Sequence, residues 1–122
     1  MKITEALRVL QAAPAAAPEF PVTLVCGFTS LHLQTFLGAH LQQTLDQKLV
    51  HIETGLFGDL AGALEAAADQ PVQAVAVALE WPDVDGRLGY RHLGGWGPAD
   101  IRDISANSDR TLARIQRAIE RI

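Results

Sequence analysis

Two apolar runs, 22–26 and 72–79, stand out in the chain because almost no polar residue interrupts them. This lack of polar alternation predicts strands that are covered on both faces, as the strands of parallel sheets are. The segment 48–53 is predicted as another strand, and it lies between the two runs. The last run, 72–79, has the strongest strand signal, and we expect it to be the central strand.

The segments around these strands have the apolar spacing of amphipathic helices. Leucines recur every fourth residue from Leu33 to Leu45, which predicts a helix that Thr29 or Ser30 can cap. Further helices are predicted over 59–69, with Asp59 as the N-cap, and over 100–122.

The order strand, helix, strand, helix, strand has connections too long for hairpins, so it predicts right-handed parallel crossovers. The expected fold class is α/β, a Rossmann-like three-layer sandwich with the flavodoxin-like strand order 2-1-3. Three parts are predicted: an N-terminal helix (1–13) that forms an appendage or lid, a proline-rich linker (14–21) and the α/β domain (22–122). The third strand would leave an open apolar edge. We therefore expect either the N-terminal portion of a larger, truncated domain or pairing with a second copy.

Composition and charge limit the classes of partner. The 122 residues (13.1 kDa) suit one domain, and 48% hydrophobic with 20% charged residues is ordinary globular composition. Fourteen acidic against ten basic side chains give a net charge of −4, so nucleic acid is not an expected partner. One cysteine, no apolar run long enough to span a membrane and no signal-peptide pattern indicate a soluble, cytoplasmic protein without a membrane partner. No cofactor is predicted.

The candidate site follows from a rule for open α/β sheets, in which ligands bind beyond the carboxyl ends of the strands where strand order reverses. This rule selects the three loops 27–30, 55–58 and 80–83. Thr29 and Ser30 stand at a predicted helix start, where a hydroxyl can act as a nucleophile and free amides can hold an anion. The alternative is that these two residues only cap the helix.

Several of these features together resemble one branch of the SGNH (GDSL-type) hydrolase fold. They are an Ala/Leu-rich N-terminal helix, a proline linker, a strand ending in Phe28-Thr29, and Ala-Leu-Glu-Trp-x-Asp at 78–83. In that branch an SGNH-like domain precedes a haloacid-dehalogenase-type domain in proteins that load glyceryl units onto acyl carrier proteins in polyketide biosynthesis. The resemblance spans most of the chain. It implies recognition or transfer of an acyl or glyceryl-type group, with an acyl carrier protein or a downstream domain as partner.

The resemblance also assigns roles to individual positions. Thr29 falls at the family's nucleophile position with Ser30 beside it, while Phe28 replaces the expected aspartate. The family's Asp-x-x-His pair would lie beyond Ile122, so the resemblance implies an incomplete hydrolytic triad. The ligand-binding positions that it implies are Gly27, Phe28, Gly55, Gly58, Glu80, Trp81 and Asp83.

Several other groups have both a functional and a structural interpretation. His92, in a glycine-rich loop, is a candidate catalytic base that would have to fold over the crevice. His32 and His40, eight residues apart on one helix, cannot share a metal, and no metal site is predicted. The acidic residues after the third strand could bind a magnesium ion, or they could simply belong to a loop exposed to solvent. An arginine stripe on the last helix could bind an acidic carrier protein or could be a helix face exposed to solvent. It consists of Arg110, Arg114, Arg117 and Arg121.

Two other functions stay open. One is an ester hydrolase whose catalytic histidine lies beyond Ile122. The other is a non-catalytic α/β module for interaction or oligomerisation.

Overall fold

The chain forms an α/β structure in the computed structural model, which describes residues 1–55, 58–89 and 94–122. The helices and strands, in chain order, are α1 (Ile3–Gln11), β1 (Glu19–Cys26), α2 (Leu31–Thr44), β2 (Leu49–Thr54), α3 (Leu60–Ala68), β3 (Ala74–Ala78), α4 (Trp81–Val84) and α5 (Ile101–Ile119). A 3-10 turn, Pro98–Asp100, leads into α5. The predicted fold class is therefore confirmed.

The three strands form an all-parallel sheet in the order β2-β1-β3, which is the predicted order. Val22 of β1 lies opposite Ile52 of β2 on one side and Ala74 of β3 on the other. The expectation that 72–79 is the central strand is wrong, because β1 is the strand with neighbours on both sides. Four residues of β1 are buried whereas none of β3 is, so an unbroken apolar run did not identify the buried strand.

Helices cover both faces of this sheet. On one face, Val25 packs with α3 and α5 in the main hydrophobic cluster, which includes Leu64 and Ile115. On the other face, Ile52 lies close to Gly38 of α2. Val22 pairs with Ile52 and so points to this same face, since successive strand residues alternate between faces. The sheet is thus the middle of three layers.

The N-terminal segment differs from the prediction in two ways. The linker predicted over 14–21 is shorter, because β1 already begins at Glu19. Pro21 has no backbone N–H to donate, and it is tolerated in β1 because its ring nitrogen faces β3, whose pairing with β1 starts one residue later. The Pro21 carbonyl faces the same side and accepts from Gln73 N at 3.1 Å. The predicted appendage or lid instead packs against α2, and Ala6 of α1 is fully buried.

The segment after β3 begins with the single helical turn α4, where the sequence predicted the loop 80–83. Asp85 at the end of α4 is 3% exposed and accepts a hydrogen bond from Asn107 Nδ2 of α5 at 2.8 Å. This contact ties α4 to α5. Among the helices described, none has the length and apolar character needed to cross a membrane.

Candidate functional site

The loops after β1 and β2 enclose a crevice of about 320 Å³ at the carboxyl end of the sheet. A cavity therefore lies beside two of the three loops that the strand-order rule selected. We call this cavity the β1 crevice. Its lining residues are Cys26, Phe28, Thr29, Ser30, Leu31, Gln34, Thr54 and Gly55.

Thr29 and Ser30 bring two hydroxyl-bearing residues to the β1 crevice at the start of α2. Thr29 is exposed, whereas Ser30 is buried and occupies the N-cap position. The Ser30 side chain makes no cap hydrogen bond, although its carbonyl accepts from Gln34 N at 2.7 Å. The Ser30 side chain therefore does not cap α2, which was the alternative role for this residue. The start of α2, where backbone N–H groups favour a partner with negative charge, lies in the lining.

Three lining residues were not predicted as site residues: Cys26, Gln34 and Thr54. Cys26 and Thr54 are the last residues of β1 and β2, so the rule would have found them if it had included the strand ends. Cys26 is 6% exposed, and its thiol donates to the Phe28 carbonyl at 3.4 Å. Gln34 lies one helical turn after Ser30, and its Nε2 donates to the Ile52 carbonyl at 2.9 Å.

The glycines of the second loop have structural roles. The Gly55 N–H donates to the Leu24 carbonyl at 3.2 Å, so it is already engaged and is not free to stabilise an oxyanion. A Cβ on Gly55 would stand 2.5 Å from Ala63 Cβ, which shows how closely α3 approaches this loop. Gly58 has φ +79°, a left-handed conformation that favours glycine, and it is not among the crevice residues. Leu56 and Phe57 lie outside the described residues.

The third predicted loop does not enter the β1 crevice. Asp83 lies against Gly27, and its Oδ2 accepts from Glu80 N at 2.8 Å. Glu80 and Trp81 instead line a separate apolar groove of about 750 Å³ together with Leu112 of α5. The three loops therefore do not line a single cavity, and the Gly27–Asp83 contact joins the first loop to the third.

The described residues supply no histidine to the β1 crevice. His92, the predicted catalytic base, lies outside the described residues. His32 and His40 are exposed on α2 and are absent from the crevice lining, and His51 Nε2 lies 3.4 Å from Glu53 Oε1 on the surface. Cys26 is the one ionisable side chain among the lining residues.

The acidic residues after β3 have partners within the protein. Asp83 holds the start of α4, and Asp85 is bound by Arg87 and Asn107. The Arg87 guanidinium holds the pKa of Asp85 far below its usual range, against the opposing effect of burial. Across residues 1–55, 58–89 and 94–122, no cluster of three or more His, Cys, Asp or Glu suits a metal ion. The described geometry therefore does not support the magnesium interpretation.

The arginine stripe of α5 is partly engaged with α3. Arg114 Nε and Glu65 Oε1 lie 2.6 Å apart, and the Arg114 hydrogen bond lowers the pKa of Glu65. Arg121 forms an ion pair with Asp69. Two of the four arginines therefore help to fasten α5 to α3.

Comparisons with family models, curated proteins and solved structures found no match for this chain.

Proposed function

We propose that this domain binds an acyl or glyceryl-type group, presented by a carrier partner, in the β1 crevice. The observation that carries the proposal is a cavity with a helix N-terminus and three hydroxyl-bearing residues (Thr29, Ser30 and Thr54) in its lining, beside apolar side chains. A small polar acyl group needs both: polar groups to bind its oxygens and apolar side chains to contact its carbon atoms.

The lining suits such a group in both character and size. Amides at the start of α2, with Thr29 and Ser30, would hold a carbonyl or hydroxyl oxygen. Phe28 and Leu31 supply apolar contacts for the carbon chain. A volume of about 320 Å³ is at the lower end for small-molecule sites, which favours a short group over a long acyl chain.

Binding or transfer is favoured over hydrolysis by the chemistry of the lining. A serine or threonine hydroxyl needs an adjacent base to become a competent nucleophile near neutral pH. Among the residues that the structure describes, the lining of the β1 crevice includes no histidine, carboxylate or amine. The resemblance to the SGNH-like domain of glyceryl-loading proteins supports the same function.

The partner would approach α5. Arg110 and Arg117 are exposed on the arginine stripe, whose other members pair with α3. An acidic carrier protein would be attracted to this stripe by charge, and added salt would weaken the attraction.

Binding is tested with small thioesters that stand in for a loaded carrier. We would titrate the full chain with the glyceroyl and butanoyl thioesters of N-acetylcysteamine and follow backbone amide shifts by NMR. We expect saturable shifts at residues of the β1 crevice, and binding about two- to ten-fold weaker in Thr29→Val or Ser30→Ala. Thr44→Val is the matched control, because Thr44 lies at the far end of α2 and its hydroxyl donates to His40 O.

Three results would contradict the proposal. They are the absence of saturable shifts at millimolar thioester, equal weakening in Thr44→Val, and equal binding of free N-acetylcysteamine, which lacks the acyl group. Thiol release that is catalytic and lost in Ser30→Ala would instead establish the ester hydrolase.

A further inference from the structure

Helix α5 carries a second apolar stripe in addition to the one that packs against α3. Ile101, Leu112 and Ile119 are 53%, 45% and 51% exposed. Leu112 follows Ile101 by eleven positions and precedes Ile119 by seven, spacings of about three and two turns, so all three share one face. We call these three residues the α5 ridge.

The α5 ridge is distinct from the buried stripe of the same helix. Ile104, Ile115 and Ala118 are buried, and the last two belong to the main hydrophobic cluster. At about 100° per residue, the ridge is rotated from this stripe by roughly 75°. Half-exposed large aliphatic residues aligned over the length of a helix are typical of a surface that meets a partner.

The surface beside Leu112 is also apolar. Leu79 is 48% exposed and Trp81 is 71% exposed, and both line the same groove as Leu112. The ridge therefore extends towards the free side of β3, where no strand pairs among the described residues. The residues of β3 are all alanine or valine, without the charges that usually protect an edge strand.

The charges that flank the ridge favour a second copy of this chain as its partner. Arg102 and Glu120 are both exposed and lie eighteen positions apart, about five turns, so they occupy the same flank of the helix. Glu120 is the C-cap and keeps helical backbone angles (φ −65°, ψ −14°). Ile101 and Ile119 are separated by the same eighteen positions.

The isoleucine pair is centred on residue 110 and the Arg102–Glu120 pair on residue 111, both near the middle of α5. If a second α5 lies antiparallel across the ridge, Ile101 meets the partner's Ile119 and Arg102 meets the partner's Glu120. A two-fold axis produces each contact twice. Antiparallel packing also aligns the two helix dipoles favourably.

We propose that the α5 ridge is the interface for a second copy of this chain, packed antiparallel about a two-fold axis near Thr111. The ridge, the groove beside Leu112 and the two Arg–Glu pairs make up this surface. Exposed Asp109 lies on the same flank near the axis, so the attraction of the two Arg–Glu pairs opposes one repulsive contact between Asp109 and its own copy. This proposal does not depend on the function of the β1 crevice.

Sedimentation velocity of the full chain over a wide concentration range provides the test. We expect a concentration-dependent dimer that Leu112→Glu abolishes. We expect Arg102→Glu and Glu120→Arg each to weaken the dimer by on the order of ten-fold, since two attractive pairs become two repulsive ones. Arg110→Glu is the control, because residue 110 lies on the opposite side of α5 from the ridge and should not change dimerisation.

Mixing the two charge variants tests the antiparallel arrangement itself. In a heterodimer of Arg102→Glu with Glu120→Arg, both cross-helix pairs again join opposite charges, so an equimolar mixture should dimerise about as well as the unaltered chain. These positions are exposed, which keeps the test independent of folding. A monomer at all concentrations, a dimer unaffected by Leu112→Glu, or a mixture no tighter than its components would overturn the proposal.

Discussion

The Asp83 carboxylate occupies the space that a side chain at residue 27 would need. A Cβ built on Gly27 would stand 1.7 Å from Asp83 Oδ1 and 2.8 Å from its Cγ. The other carboxylate oxygen accepts from Glu80 N at 2.8 Å, so the group is held in place at the start of α4. One glycine and one carboxylate thereby join the loops after β1 and β3, next to the β1 crevice.

Gly27→Ala is expected to destabilise the protein by about 1–3 kcal/mol, because the new methyl group displaces Asp83 from its bond to Glu80 N. The free energy of unfolding, measured by urea denaturation, checks this. Gly86→Ala is the matched control, since a Cβ there meets no atom within 4 Å. In an Asp83→Ala background, Gly27→Ala should cost little, because the clash is gone. Equal costs in both backgrounds would show that the contact does not determine the penalty.

The sequence was sufficient to predict the layer order, because apolar runs and long connections constrain how parallel strands follow each other. It also located the crevice loop that contains Thr29 and Ser30. It could not predict the Gly27–Asp83 contact or the hydrogen bond between Asp85 and Asn107, because these join residues far apart in the chain. Hydrophobic periodicity reports which face of an element is apolar and does not report which distant side chain meets it.

The pH dependence of stability should reflect Asp85. Its carboxylate accepts from Arg87 Nε, Nη2 and backbone N at 2.7–2.9 Å, and from Asn107 Nδ2 at 2.8 Å. These bonds, the Arg87 guanidinium first, lower the pKa of Asp85 from its usual value of 3.8, and burial opposes them. A lowered pKa in the folded state means that the stabilisation is fully present above about pH 4. It is lost as pH falls from there towards the folded value.

Asp85→Asn should therefore lower the free energy of unfolding by about 1–3 kcal/mol at pH 7 and flatten its decline between about pH 5 and pH 2. Urea denaturation at a series of pH values measures both effects. Asp46→Asn, at an exposed turn position after α2, should leave the profile unchanged. A parallel downward shift of the whole Asp85→Asn curve, with its slope intact, would contradict this assignment.

Two helix starts offer a direct comparison of capping. The Asp59 side chain accepts from Gly62 N at 2.9 Å at the start of α3, as predicted, whereas Ser30 makes no side-chain cap bond at the start of α2. We expect Asp59→Ala to lower the free energy of unfolding by about 1 kcal/mol. Ser30→Ala should cost clearly less, because no cap bond is removed. A cost for Ser30→Ala that matches or exceeds that of Asp59→Ala would indicate that the Ser30 hydroxyl stabilises the fold in another way.

The Gln42 side chain links the end of α2 to the start of β2 by hydrogen bonds. It is 5% exposed; its Nε2 donates to the Lys48 carbonyl at 2.7 Å, and its Oε1 accepts from Val50 N at 2.9 Å. Gln42→Leu would leave both backbone groups unpaired, so we expect the free energy of unfolding to fall by about 2–4 kcal/mol. Gln43 is the exposed neighbour and provides the control: Gln43→Leu should change the free energy of unfolding by less than about 0.5 kcal/mol. Hydrogen exchange at the Val50 amide should accelerate in Gln42→Leu alone. An unchanged exchange rate would mean that the Gln42 side chain does not protect this amide, whatever the loss of stability.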